Sequence, residues 1–147
     1  MKVLASGVFD LLHYGHIRFL EEAKKLGKPN AWLVVIVASD DTVTRMKGKP
    51  PVIPGNQRRA VVESLKMVDE AILGYRDMNL DKVMKTIKPD IVAVGHDQSD
   101  IEEEVKRLVA EKGYNIRVKR IGRFGPEDLN SSSKIKRRIA EGSGMRP

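Results

Sequence analysis

Cysteine is absent from this 147-residue chain, and aromatic residues are few: one Trp, three Tyr and three Phe. The first absence excludes disulfide scaffolds and thiolate metal sites and fits a reducing compartment. The second weighs against a protein built to stack single-stranded bases. Long apolar runs are missing as well. The longest, Ala31 to Ala38, falls short of the ~20 residues that span a bilayer, and the few apolar residues between Lys2 and Asp10 are too short a core for a secretory signal. A soluble cytoplasmic protein without membrane attachment is expected. Nor is there an internal repeat, a low-complexity segment or a Pro-, Gly- and Ser-rich linker. Residues 1–147 therefore read as one domain, long enough to bury roughly 70% of its unfolded surface in a single core.

Acid is in short supply relative to base. Twenty Asp and Glu face 27 Lys and Arg, a net charge of +7 that favours anionic partners such as nucleotides, phosphorylated metabolites or nucleic acid. The excess sits at the carboxyl end, where nine basic and three acidic residues follow from Arg117 onward.

What is present is an alternation of apolar patterns. Val3-Leu4-Ala5 reads as a first strand, and Ile17, Phe19, Leu20, Ala23 and Leu26 as a first helix. Trp32 to Ala38 runs apolar without alternation, as a central parallel strand covered on both faces does. Ser39 to Thr42 offer caps for a short helix to about Met46, and the prolines and glycines of Lys47 to Gly55 dictate a loop whose lysines can close over an anion. Asn56 opens a helix with Val61, Leu65 and Val68. Ala71-Ile72-Leu73 is a short strand, and Leu80, Val83, Met84 and Ile87 mark a helix that Pro89 stops. Asp90 to Gly95 is the next buried strand, Ile101, Val105, Leu108 and Val109 give a helix, and Tyr114 to Lys119 is the last strand. Ser131-Ser132-Ser133 can cap a final helix carrying Ile135 and Ile139. Strands alternating with helices predict right-handed crossovers and a doubly wound parallel α/β sheet of five strands with helices on both faces. Such sheets bind ligands beyond the carboxyl ends of their strands, where strand order reverses.

The stretch Gly7 to His16 spans the turn from the first strand into the first helix. Backbone N–H groups at a helix start lack carbonyl partners and, with the helix dipole, favour a phosphate. His13 and His16 flank that point, and Gly15 between them has no Cβ to block a ligand. Either imidazole alone would be an ordinary surface or core residue. Two of them around a tight turn suit a polyphosphate.

Gly-x-Phe-Asp followed by His-x-Gly-His at a helix start resembles the signature of the nucleotidylyltransferase superfamily, which transfers a nucleotidyl group from a nucleoside triphosphate to an acceptor. The chain is most similar to the archaeal-type FAD synthetases: Lys47 to Pro54 with Gln57-Arg58-Arg59, Asp69 to Gly74, and Gly95-His96-Asp97-Gln98 follow in the family's order between about residues 3 and 140. The resemblance implies a Rossmann-like sheet of order 3-2-1-4-5 that sets Gly7–His16 beside Gly95–Gln98. It implies ATP and FMN as substrates, FAD and pyrophosphate as products, and a divalent metal, Mg²⁺, carried by ATP rather than by a protein cage. Gly7, Val8, Phe9, Tyr14 and Gly15 would form the nucleotide-binding turn, and His13 and His16 would donate to phosphate oxygens. Lys47 and Arg58 would contact phosphates, Asp97 and Gln98 would read the nucleoside, and Ser131 and Ser132 would meet the leaving phosphates. Lys47 equally reads as a solvated loop charge, His96 as a residue of the rim, and Asp10 as a turn acceptor rather than a metal ligand.

Two rivals remain at this level. Cytidylyltransferases acting on glycerol 3-phosphate or a similar alcohol phosphate are related, but they carry Arg-Thr-Glu-Gly where this chain has Pro126-Glu127-Asp128-Leu129. Arg123 is the candidate substitute for that arginine. A nucleic-acid-binding module would use Lys134, Lys136, Arg137 and Arg138, which lack interleaved aromatics. A homodimer is expected because soluble folds of this kind commonly form one.

Overall fold

The computed structural model describes residues 1–74, 79–122 and 132–142, Ser132 by its backbone alone. The elements follow the order β1 (Lys2–Gly7), α1 (Tyr14–Leu26), β2 (Trp32–Val37), α2 (Asp40–Lys47), α3 (Gly55–Glu63), β3 (Glu70–Leu73), α4 (Leu80–Ile87), β4 (Ile91–Val94), α5 (Ser99–Lys112), β5 (Arg117–Arg120) and α6 (Ser132–Gly142). The five strands form one parallel sheet of order β3-β2-β1-β4-β5, the expected order. Strand order reverses between β1 and β4, which places the crevice beyond Gly7 on one side and beyond Val94 on the other.

The strands are apolar on both faces because each face has its own helical cover. Side chains alternate across a strand, so Val3 and Ala5 join one cluster with Leu33, Val35, Val37 and Ile91, under Leu20 and Ala23 of α1 and Val62 of α3. Leu4 points the other way and meets Val34, Ile36, Val92 and Val94 under Val83 and Met84 of α4 and Val105 and Leu108 of α5. A one-residue slip of β1 would exchange the two faces, so the pattern fixes the register.

Local chemistry sets the ends. The Ser39 side chain accepts from the Thr42 amide at the start of α2, and Asn79 does the same for Lys82 at the start of α4, each satisfying an otherwise orphaned donor. The last strand differs from expectation. It begins at Arg117 rather than Tyr114, because the ladder to β4 opens where the Arg117 amide donates to the Asp90 carbonyl. Tyr114 instead donates its hydroxyl to Asp81 in the first turn of α4.

Candidate active site

The β1–α1 turn is shaped by two backbone demands. Phe9 lies at φ 53°, the left-handed region that non-glycine residues seldom adopt, and its ring is buried. That ring folds back so closely that a Cβ on Gly7 would stand 2.8 Å from it. Gly7 is therefore required by contact rather than by its own dihedral angle. The turn then delivers His13 as the residue capping α1, with Tyr14 exposed beside it.

The imidazoles of His13 and His16 stack, their centroids 3.9 Å apart and their planes 25° from parallel, and Phe9 lies against His16 at 5.2 Å. His16 Nδ1 accepts a hydrogen bond from the His13 amide at 3.3 Å. In the neutral ring the proton must then sit on Nε2, which is free to donate to a ligand. Burial lowers the pKa of His16 to about 3, with the neighbouring His13 and Lys47 opposing its charge further. Burial also lowers that of His13, and His13 Nδ1 is buried with no partner. The pair is thus neutral near pH 7, and Lys47, though exposed on α2, is close enough to be felt. The first turn of α1 carries no acidic residue, whereas α2, α4 and α5 each do. Its terminal amides and dipole consequently keep their attraction for an anion.

Arg58 departs from expectation. It opens its helix as the motif implies, but it is 1% exposed. Its Nε donates to the Ile53 carbonyl, one terminal nitrogen to the carbonyls of Val8 and Ala38, and the other to Asp40 at 2.6 Å. Four of the five N–H bonds of a guanidinium are spent this way, so in this structure it holds three loops together rather than facing a phosphate. Asp40 also accepts from the Gly55 amide.

Asp10 is an acceptor, as expected, but it ties its turn to other segments of the chain rather than closing the turn on itself. It is 2% exposed, and its two oxygens accept from the amides of Val52 and Ile53, each at 2.9 Å, and from Lys136 of α6 at 2.7 Å. Burial opposes its ionisation, but the Lys136 and amide hydrogen bonds outweigh that and hold its pKa below the ordinary 3.8. Lys136, counted in the sequence among the basic residues of the tail, is therefore tied inward.

The β1 and β4 ends do converge. Gln98 donates from Nε2 to the Ser6 carbonyl and accepts the Gly95 amide on Oε1. Each end of that amide thus has a partner, and the side chain bridges β1 to the 95–98 loop and positions it. A Cβ on Gly95 would come within 3.2 Å of Asp97, and Asp97 is exposed toward solvent. Arg120, which sequence reasoning left unassigned, donates to the His96 carbonyl at 2.6 Å and pairs with Glu102, bracing the same loop from β5. Its signal lay in the register, since Arg120 pairs with Val94 directly before the loop. Ser131, Arg123 and the segment 126–129 lie outside the described residues, as does the side chain of Ser132. Among the described residues no group of three or more His, Asp or Glu could hold a metal, and the Asp10 oxygens are already engaged. Among the same residues no helix is long and apolar enough to cross a membrane.

A paired-imidazole turn at the start of α1, set at the reversal point of a five-stranded parallel sheet of this order, is the arrangement that the resemblance to the nucleotidylyltransferase superfamily implies. Residues 4–138 match the Cytidylyltransferase-like family. FAD synthases from Methanopyrus kandleri and Ferroglobus placidus are 47% and 49% identical to the chain, covering 95% and 94% of it and 92% and 87% of their own lengths. A crystal structure from Thermoplasma volcanium, described as a lipopolysaccharide core biosynthesis protein, superposes with a TM-score of 0.75 at 41% identity, covering 85% of this chain and 98% of its own. The chain belongs to the Cytidylyltransferase-like family and, within it, to the archaeal-type FAD synthase group of nucleotidyltransferases.

Proposed function

We propose that the protein is an FMN adenylyltransferase, making FAD and pyrophosphate from ATP and FMN. What carries the choice of substrates is its near full-length similarity to proteins named FAD synthase. In the reaction a phosphate oxygen of FMN attacks the α-phosphorus of ATP. A new P–O bond forms as the bond to the β-phosphate oxygen breaks, and its electron pair leaves with pyrophosphate. No covalent nucleophile on the protein is required, so the protein's contribution is alignment and charge stabilisation. Neutral His13 and His16 donate to the phosphate oxygens, and the developing negative charge favours their protonation more as the transition state forms. The α1 amides bind the same oxygens. Lys47 closes over the phosphates from the end of α2, Asp97 reads the nucleoside, and Ser131 and Ser132 meet the leaving pyrophosphate. A divalent metal such as Mg²⁺ would be carried by ATP rather than by side chains of this chain and would supply neutralisation of phosphate charge. We place the whole of residues 1–147 in one catalytic domain, working as a homodimer in the cytoplasm.

Incubating the protein with Mg²⁺, either ATP or CTP, and either FMN or glycerol 3-phosphate tests this reading. FAD and pyrophosphate should appear with ATP plus FMN. Pyrophosphate only with CTP plus the alcohol phosphate would overturn it in favour of the cytidylyltransferase alternative.

A further inference from the structure

Beside the histidine turn lies a cavity of about 300 Å³, at the small end of the range for small-molecule sites, about 300–1,000 Å³. Its walls come from four separate segments: Leu11 and Leu12 of the β1–α1 turn, Ile53 of the loop before α3, Val61 of α3, and Ile135 and Ile139 of α6. Two charged residues also line it, Asp10 and Arg58. Asp10 is taken up by Lys136 and two amides, and Arg58 by three carbonyls and Asp40. The cavity therefore offers a ligand aliphatic walls with both charges already compensated. A phosphate would be poorly served there, because it would lose its hydration without gaining partners. A flat, uncharged ring system would bury apolar area at little polar cost.

Its position relates it to the reaction. Leu12 is the residue before His13, so a group filling the cavity is within one residue of the phosphate-binding turn. The wall formed by Ile53 and Val61 follows β2, whereas the 95–98 loop assigned to the nucleoside follows β4, on the opposite side of β1. Nucleoside and cavity occupant can thus be bound together with the histidines between them. Val61 and Ile139 are 45% and 63% exposed, large aliphatic side chains left to water at the rim that an occupant would cover.

We propose that this cavity receives the fused heteroaromatic ring of the acceptor, while the acceptor's phosphate extends to His13 and His16. The proposal rests on FMN being the acceptor, and it makes the cavity the element that selects a flavin phosphate over an alcohol phosphate, which has no ring to place there.

Two variants at exposed positions test it without entering the core: Val61→Phe, which fills the cavity, and Ile139→Asp, which puts a carboxylate on its wall. Thermal melts establish that each is folded. The KM for FMN, and the inhibition constant of riboflavin competing with FMN, should each rise roughly tenfold or more, a loss equal to part of one buried ring face. The Kd for Mg·ATP should stay within about twofold, since ATP does not use the buried area. If both folded variants keep the wild-type KM for FMN while the wild type makes FAD, the cavity assignment is overturned and FMN stands as the acceptor. If the wild type makes no FAD from ATP and FMN, the acceptor reading falls and the cavity assignment falls with it.

Discussion

His16 concentrates the consequences of the fold in one side chain. Its Nδ1 is held by the His13 amide, so the other nitrogen is aimed as a donor, and its burial keeps the ring uncharged. Replacing it with Asn keeps a polar side chain of smaller reach and removes that donor. Turnover should fall by roughly 10²-fold or more, by analogy with the loss of one donor that stabilises developing charge, and steady-state kinetics of pyrophosphate release would measure it. Near-normal turnover would take His16 out of the mechanism. A second readout is independent of catalysis. The folded pKa of about 3 lies below the ordinary 6.5, so between those values the unfolded chain binds a proton that the folded chain refuses, and stability falls as pH falls. From pH 7 to pH 5 this group should cost about 2 kcal/mol. Urea titrations of wild type and His16→Asn at the two pH values should differ by that amount, with the variant less sensitive to acid.

At the scale of the elements, the site is assembled by ties between loops. Arg58 joins the β1 turn, the β2 end and the loop before α3, Gln98 joins β1 to the β4 loop, and Lys136 fastens α6 to the β1 turn. The Lys136 tie is the most testable, because it connects a helix of polar outer face to a buried carboxylate. Breaking a fully buried pair costs about 3–5 kcal/mol. Lys136 is 26% exposed, so Lys136→Met should cost less, on the order of 2 kcal/mol. Its acid dependence follows from Asp10. The lowered carboxylate pKa supplies stability above the ordinary value that is lost as pH falls through the folded value. Without Lys136 two of the influences that lower the carboxyl pKa are gone and the folded value rises toward the ordinary one, so the acid-unfolding midpoint should move to higher pH. Circular dichroism across an acid titration would register the shift, and an unchanged midpoint would deny Lys136 this part.

For the molecule as a whole, the net charge of +7 distinguishes a nucleotide enzyme from a nucleic-acid binder only through where the charge acts. Mg·ATP at about 100 times its Kd stabilises by ~2.7 kcal/mol. One kcal/mol moves Tm by roughly 2–4 °C at this chain length, so ATP should raise Tm by about 5–10 °C. An oligonucleotide at equal phosphate concentration should leave Tm within about 1 °C, because each kcal/mol of binding would have shifted it more. A larger shift from the oligonucleotide that persists with ATP bound would restore the nucleic-acid reading.

The linear chain alone determined the alternation of strands and helices, the parallel class and the histidine turn, because each depends on neighbours a few residues apart: apolar spacing, capping residues, and a glycine between two imidazoles. The ties that Arg58 and Gln98 make are not legible in the motif for the opposite reason. The carbonyls that occupy Arg58 belong to residues 50, 20 and 5 positions away, and Gln98 reaches back 92 positions to Ser6. Only the folded sheet brings those acceptors within 3 Å. Buried donors take such partners because leaving a polar group unpaired away from water costs more than the hydrogen bond is worth in the unfolded chain. The same is true of the neutrality of His13 and His16: their identity is written in the sequence, and their protonation is set by the water that the tertiary structure removes.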